Sequence, residues 1–192
     1  MFGSVKTPSQ KPTMYASGAD FCRIFEKNMD GLYLLSLLLT GDQAAAETCF
    51  VQGLSDSKEG NPVFKEWAES WARRTIVQNA IQMIRPEATD VLPSRVAEEV
   101  AISLSPEVTA ILSLPTFDRF SYVLSVLEGY SLQDCTLLLG CSRGEIIAAR
   151  MRALRQVVKY LELHHHSPDS ANKQTPPGDI AFGEFSQLAA TA

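Results

Sequence analysis

The feature that most constrains this chain is the spacing of its apolar residues, which recur every three or four positions across most of residues 20–163. That spacing places apolar side chains on one face of a helix, whereas a half-buried strand requires strict alternation of apolar and polar residues. No alternating run flanked by hairpin turns occurs in the sequence. The sequence therefore predicts an all-α protein.

Start and stop signals divide the first half into three predicted helices, over residues 20–39, 42–53 and 61–84. Gly41 ends the first helix because glycine readily adopts the left-handed conformation that closes a helix. Asp42 caps the second helix, which ends at Gly53 or soon after. Asn61 and Pro62 open the third as an N-cap followed by proline at the first helical position. We expect the segment SDSKEG between the second and third helices to be a loop.

Composition divides the whole chain into five parts. Residues 1–19 and 164–192 are rich in small and polar residues and have no apolar period, so we expect both to be disordered tails. Residues 86–105 combine prolines and acids with one apolar patch, which is typical of a linker. Two small helical domains are predicted on either side of this linker, over residues 20–85 and 106–163.

The segment GYSLQDCTLLLGCSRGEIIAARMRAL predicts two short helices that meet at Gly140. Ser131 with Asp134, and Ser142 with Glu145, each fit a capping box, in which the serine and an acid three residues later satisfy free backbone donors. A helix–turn–helix requires a glycine with positive φ at the turn and apolar inner faces on both helices. The alternative is a plain helical hairpin within a core.

The charge distribution distinguishes the second helix of this segment. The chain has a net charge of −5, which argues against general affinity for nucleic acid. Residues 143–159, however, include five basic residues and one acidic residue. In a helix–turn–helix this helix enters the major groove, while basic side chains reach the phosphates. The residues predicted to contact DNA are Ser142, Arg143, Gly144, Ile147, Ala148, Arg150, Met151, Arg152 and Arg155.

Other features exclude several classes of protein. The longest apolar run is far shorter than the roughly 20 residues of a membrane-spanning helix, and no export signal begins the chain, so we expect a cytoplasmic protein without membrane contact. Cys22, Cys49, Cys135 and Cys141 lack the spacing of a zinc or redox motif and are expected to be reduced thiols. No catalytic set or phosphate loop is identifiable, so the sequence predicts neither an enzyme nor a metal or cofactor site.

Residues 114–154 resemble region 4 of bacterial RNA polymerase sigma factors of the extracytoplasmic-function type. The matching residues are Leu114, Pro115, Arg119, Leu124, Glu128, Gly129, Ser131, Leu139, Gly140, Ser142, Gly144, Arg152 and Ala153. Two earlier segments, LYLLSLLLTGDQAAAE and FKEWAESWARRTIVQNAI, are similar to region 2 of the same family. The resemblance covers roughly residues 20–159, in the family's order and with a linker between the regions.

The resemblance implies a transcription initiation factor that binds core RNA polymerase and directs it to promoter DNA. Region 2 would dock on the clamp helices of β′ and open the minus-ten element, while region 4 would read the minus-thirty-five element and touch the β flap. The residues that would melt the promoter are Trp67, Trp71, Arg73 and Arg74. The residues that would contact polymerase are Glu47, Thr48 and Gln52. An anti-sigma factor is a further partner to consider, and we expect a monomer when the protein is free.

Four positions depart from the family's pattern. Thr48 stands where aspartate is usual, Glu145 where threonine is usual, and Ile147 and Ala148 where lysine and serine are frequent. Two alternatives therefore stay open. The chain could be a sigma-derived regulatory or interaction protein that has lost promoter recognition, or a stand-alone helix–turn–helix regulator that binds DNA without polymerase.

Overall fold

The structure, a computed structural model, describes residues 14–89 and 104–165, so most of the predicted tails and linker lies outside the described residues. Regular structure in these ranges is helical apart from a single β-bridge between Tyr15 and Phe64. The helices are α1 Gly18–Lys27, α2 Met29–Thr40, α3 Gln43–Glu59, α4 Ala68–Ile84, α5 Pro106–Leu112, α6 Thr116–Tyr122, α7 Leu132–Leu139 and α8 Arg143–His165. The predicted all-α class is confirmed for the described residues.

The N-terminal half consists of α1 to α4, with α2 packed against both α3 and α4. α2 buries a leucine-rich surface that includes Leu32, Leu35 and Leu39. α4 meets it with Ile76 and Ala80, which are fully buried. Burial of each large aliphatic side chain contributes about 1.5–3 kcal/mol, so this three-helix packing supplies most of the stability of the half.

Two helix boundaries predicted for this half are wrong for local reasons. The single helix predicted over residues 20–39 is interrupted at Asn28, whose φ of −109° and ψ of 26° separate α1 from α2, so the half has four helices and not three. The loop predicted after Gly53 is instead the last part of α3. Ser57 in that segment is buried, donates to the Gly53 carbonyl at 2.7 Å and lies 2.9 Å from the Thr75 hydroxyl of α4.

α4 begins at Ala68 and not at Asn61, because the residues before it pair with the start of the described chain. The Ala16 N–H donates to the Val63 carbonyl at 2.7 Å, which holds this stretch extended. One 3₁₀-helical turn then leads into α4. Residues 14–17, which fall within the predicted N-terminal tail, are therefore part of the fold.

The C-terminal half consists of α5 to α8, and α8 packs across the other three helices. Ser105 caps α5 and Pro106 occupies its first turn, where the predicted C-terminal segment 106–163 begins. The apolar period that follows is divided between α5, α6 and a π-helical turn over Val123–Leu127. In that turn the Glu128 N–H donates to the Val123 carbonyl at 2.9 Å, one residue further back than in an α-helix.

The two halves share one apolar core, because α2 packs against α5 and α6 while α4 contacts α7. Arg119 of α6 lies in this junction and is 1% exposed. Its guanidinium donates to the carbonyls of Leu39 and Thr40 at 3.3 Å each, at the end of α2, and to the Leu112 carbonyl at 3.4 Å. Burial lowers the pKa of Arg119 to about 10, so the side chain is a cation at neutral pH.

Candidate nucleic-acid interface

The turn between α7 and α8 has the geometry that the sequence predicts. Gly140 closes α7 with φ of 63° and ψ of 33°, a left-handed conformation in which glycine has no Cβ penalty. The Ser142 N–H donates to the Glu145 carboxylate at 2.7 Å, and the Glu145 N–H donates to the Ser142 hydroxyl at 3.3 Å. These reciprocal bonds complete a capping box at the start of α8, and they hold the pKa of Glu145 below its usual value.

The other predicted capping box is formed in part. The Asp134 N–H donates to the Ser131 hydroxyl at 3.1 Å, and that hydroxyl lies 2.6 Å from the Asp134 carboxylate. The serine therefore caps α7 through its side chain, while the aspartate binds the serine hydroxyl. α7 is consequently fixed at its first turn by a short polar contact on the protein surface.

The inner face of α8 fixes which side of the helix is available for contacts. Ile146, Ala149 and Ala153 have no exposed surface, and Cys135 of α7 is equally buried. The sequence predicts an inner face formed by Leu132, Thr136 and Leu139 of α7 with Ile146 and Ala149 of α8, and the structure adds Cys135 to it. Because this side is buried, the opposite side of α8 faces outward.

Nearly all the residues predicted to contact DNA lie on that outward side. The exposed ones are Ser142, Arg143, Gly144, Ile147, Ala148, Met151, Arg152 and Arg155, whereas Arg150 is half-buried. Arg143 and Arg155 make no ion pair with any residue that the structure describes. Ile147 and Met151, at 38% and 42% exposure, place an apolar strip between these cations. We call this set of exposed residues the α8 face.

Arg152 differs from its neighbours on the α8 face because a carboxylate already binds it. Its Nε donates to Asp118 of α6 at 3.0 Å, and Nη2 donates to the second carboxylate oxygen at 2.6 Å. The Asp118 side chain is 3% exposed, and its hydrogen bonds raise the pKa of Arg152. This bidentate pair fastens α8 to α6, a role that the sequence reasoning missed.

The two tryptophans predicted to melt promoters lie in different environments. Trp67 is 59% exposed and meets the Phe64 ring edge-on at 5.4 Å, and Phe64 stacks on Tyr15 at 4.8 Å. Trp71 is half-buried, packs against the Phe21 cluster and has a buried indole N–H without a hydrogen-bond partner. Only Trp67 therefore offers an open aromatic face to a ligand.

The two arginines predicted on α4 also differ. Arg74 is exposed, whereas Arg73 is bound to Glu128 of the opposite half. The Arg73 Nε donates to Glu128 Oε2 at 2.8 Å, and Nη2 contacts the second oxygen. Chiefly because of these hydrogen bonds, the pKa of Arg73 is raised. Arg73 is thus occupied by an intramolecular carboxylate.

The residues predicted to contact polymerase share one surface of α3. Glu47, Thr48 and Gln52 are all exposed, and Val51 between them is 63% exposed. The Thr48 hydroxyl donates to the Ala44 carbonyl at 2.9 Å, which leaves its methyl group outward on the same surface. We call these four residues the α3 face.

The described residues hold no group of three or more histidine, cysteine or acidic side chains arranged to bind a metal. All four cysteines are free thiols, and burial raises the pKa of both Cys49 and Cys135 to about 11. None of the described helices has the combined length and apolarity that crossing a bilayer requires.

No protein family matches the sequence of this chain, and no curated protein matches it either. The functional proposal therefore draws on the geometry of the α8 and α3 faces and on the resemblance of their sequences to sigma regions 4 and 2.

Proposed function

We propose that this protein is a sigma-like transcription initiation factor that binds core RNA polymerase and directs it to promoter DNA. In this proposal α1 to α4 act as region 2 and α5 to α8 act as region 4. The observation that carries it is the exposed α8 face, which follows a left-handed glycine and a complete capping box and is backed by a fully buried inner face. This combination supports a recognition helix whose orientation is fixed before DNA binds.

The chemistry of the α8 face suits duplex DNA. Arg143 and Arg155 are exposed cations without a described ion-pair partner, so they are available to phosphates. Ile147 and Met151 supply apolar surface of the kind that contacts thymine methyl groups in the major groove. Arg152 contributes by holding α8 against α6, since its guanidinium is bound by Asp118.

The exposed aromatic residue before α4 suits unpaired DNA. Stacking of a base on an aromatic ring is worth about 1–3 kcal/mol and requires an accessible ring face. Trp67 meets that requirement, and Arg74, about two turns further along, is an exposed cation that could hold the strand. We therefore propose Trp67 and Arg74 as the first contacts of region 2 with the minus-ten element.

The α3 face is the proposed contact with the polymerase clamp. Its exposed Glu47 and Gln52 provide the acid and amide groups that the resemblance assigns to this contact. The exposed Val51 between them supplies apolar surface that a partner helix could cover. Thr48 takes the place of an aspartate, so the contact would have one negative charge fewer than is usual in the family.

The test combines polymerase binding with promoter use. We expect the chain to co-purify with core polymerase and to support run-off transcription. The double variant Arg143→Ala, Arg155→Ala should keep polymerase binding and weaken promoter binding. Because two phosphate contacts are removed, the slope of log affinity against log salt should fall by about 2.

A matched control is the double variant Lys27→Ala, Lys58→Ala, which removes two exposed cations from the other half of the molecule. It should leave the promoter affinity and its salt dependence unchanged. Failure to bind polymerase at micromolar concentration would overturn the proposal. Unchanged promoter use by the α8 double variant would show that a different surface reads the DNA.

A second function, a sigma-derived regulator without promoter recognition, is favoured by one set of contacts. Arg73 and Arg152 are both bound by carboxylates, and Glu145 adds a negative charge at the start of the α8 face. This reading predicts polymerase or protein binding with weak DNA affinity that hardly varies with salt. The salt dependence of DNA binding therefore separates the two functions.

A further inference from the structure

The junction between the halves contains an ion pair that involves a proposed DNA-binding residue. Arg73 and Glu128 are 55 positions apart in sequence and join α4 to the end of the π-helical turn. The Glu128 side chain is 7% exposed and that of Arg73 is 34% exposed, so the carboxylate is shielded while the guanidinium is partly open. An arginine held by a carboxylate through two bonds has little capacity left for a phosphate or a base.

Packing beside this ion pair is incomplete. A cavity of about 80 Å³ lies between α2, α5 and the π-helical turn, and Arg73 and Glu128 form part of its wall. The rest of the wall is largely apolar and includes Leu34, Leu38 and Val108. A Cβ added to Gly31 at the edge of this cavity would meet no atom within 4 Å. Side chains that line this space have fewer dispersion contacts than side chains in a filled core.

Arg119 makes part of the junction polar. It is a buried cation with no carboxylate partner among the described residues, and its Nε has no hydrogen-bond partner there. The carbonyls at the ends of α2 and α5 offset part of its lost hydration, because the C-terminus of a helix is partially negative. Separation of the halves would break its bonds to Leu39 and Thr40 but would return the guanidinium to water, so Arg119 adds less to the adhesion of the halves than its hydrogen bonds alone suggest.

We propose that the Arg73–Glu128 pair is a latch that holds the two halves together and keeps Arg73 from DNA until they separate, an inference that rests on the proposed function. The α3 face is exposed while the latch is closed, so contact with polymerase does not require separation. Contact between Arg73 and promoter DNA does require the halves to separate. Opening therefore precedes contact between Arg73 and the unpaired strand, whereas polymerase binding does not depend on it.

The latch is tested by measuring the distance between the halves in the full chain, without polymerase or DNA. Val51→Cys on α3 and Val158→Cys on α8 place spin labels on two exposed positions. The partly exposed Cys22 and Cys141 are changed to serine, whereas Cys49 and Cys135 are buried and will not be labelled. We expect one short distance in this parent chain and an added, longer population after Glu128→Gln.

Two further variants bracket this result. Asp20→Asn removes the charge from ion pairs with Arg23 and Lys65 inside the N-terminal half, so it should not lengthen the distance between halves. Gly31→Leu places a larger apolar side chain in the open space at this edge of the cavity and should reduce the longer population when combined with Glu128→Gln. Identical distance distributions in the parent and Glu128→Gln chains, at low and high salt, would overturn the latch.

The effect on DNA access is measured with a fluorescent thymidine 12-mer as the single-stranded probe. Glu128→Gln should bind it several-fold more tightly than the parent chain, and adding Arg73→Ala should abolish the gain. A longer distance without tighter binding would overturn the role of the latch in DNA access. Because the distance is measured on the protein alone, failure to bind polymerase would contradict the proposed function and leave the latch result standing.

Discussion

α4 and α8 bury equivalent isoleucines, Ile76 and Ile146, yet they begin in different ways and present their arginines differently. α8 starts with two reciprocal bonds between Ser142 and Glu145, which are three positions apart in the sequence. α4 has no side-chain cap at its start. It is positioned instead by the preceding segment, which pairs with residues 14–17.

The difference extends to the outward surfaces of the two helices. Two arginines of the α8 face are without ion-pair partners in the described chain, whereas Arg73 of α4 is held by Glu128. α8 is thus ready for a ligand as soon as the chain folds. α4 becomes fully available only after the contact between Arg73 and Glu128 is broken. The fold therefore leaves one proposed DNA-binding helix accessible and restrains the other.

The largest effects are expected from truncating the buried isoleucines. Ile76→Ala and Ile146→Ala should each lower the free energy of unfolding by about 2–5 kcal/mol, because each leaves a cavity in a core that spans both halves. Urea unfolding followed by circular dichroism should show a lower midpoint for either variant than for the parent chain. Two separate transitions would show that the halves fold independently, and Val51→Ala on the exposed α3 face is the control with little effect.

A smaller difference should separate two left-handed glycines. Alanine at either Gly41 or Gly140 costs about 1–2 kcal/mol because both have positive φ. At Gly41 the new Cβ would also lie 2.7 Å from an Arg119 guanidinium nitrogen, while at Gly140 it would meet nothing within 4 Å. Gly41→Ala should therefore be the more destabilising of the two in thermal unfolding. Equal losses would mean that Arg119 can move aside, which its burial argues against.

Removing the cap of α8 should have a local effect of about 1 kcal/mol. Ser142→Ala leaves the first backbone donors of the helix without their side-chain acceptor. Amide hydrogen exchange should quicken in the first turn of α8 and stay unchanged in α4. Phe64→Ala should do the reverse, since it removes the ring that stacks on Tyr15 ahead of α4. If either substitution quickened exchange in both helices, α4 and α8 would not be positioned by separate local contacts.

The smallest effect is a pH dependence of the same cap. Hydrogen bonds with Ser142 hold the pKa of Glu145 below its ordinary value of 4.5. The Glu145 carboxylate therefore stabilises the start of α8 fully above its ordinary pKa. This stabilisation is lost as the pH falls through the lowered pKa of the folded state. Between pH 6 and pH 3 the wild-type chain should lose more protection at the start of α8 than Glu145→Gln does. α4 provides the internal reference, because it has no such cap.

Much of the fold could be predicted because its signals are local. Asp42 accepts from the Ala45 N–H at 2.8 Å, Ser142 and Glu145 form a capping box and Gly140 is left-handed, as the sequence predicts. The errors arise where contacts with residues distant in the sequence determine the local structure. Ser57 extends α3 because its hydroxyl meets Thr75 of α4, a contact that the polar composition of SDSKEG conceals.

In the candidate site, too, local features could be predicted and contacts between distant residues could not. The exposed and buried sides of α8 follow from helical spacing, so most of the proposed contact residues were predictable. The pairing of Arg152 with Asp118, 34 residues away, and of Arg73 with Glu128 was not, since sequence spacing carries no information on such partners. A buried acid such as Asp118, within the apolar run of α6, is the signal that could have revealed the first pair.

The π-helical turn over Val123–Leu127 makes the latch sensitive to chain length as well as to composition. The turn accommodates one residue more than an α-helical turn, and Glu128 follows directly after it. Deleting one residue from it would restore the α-helical register and rotate the following positions by about 100° around the helix axis. Glu128 would then leave Arg73 without any change in charge, so a deletion of a single residue would act as an unlatching mutation.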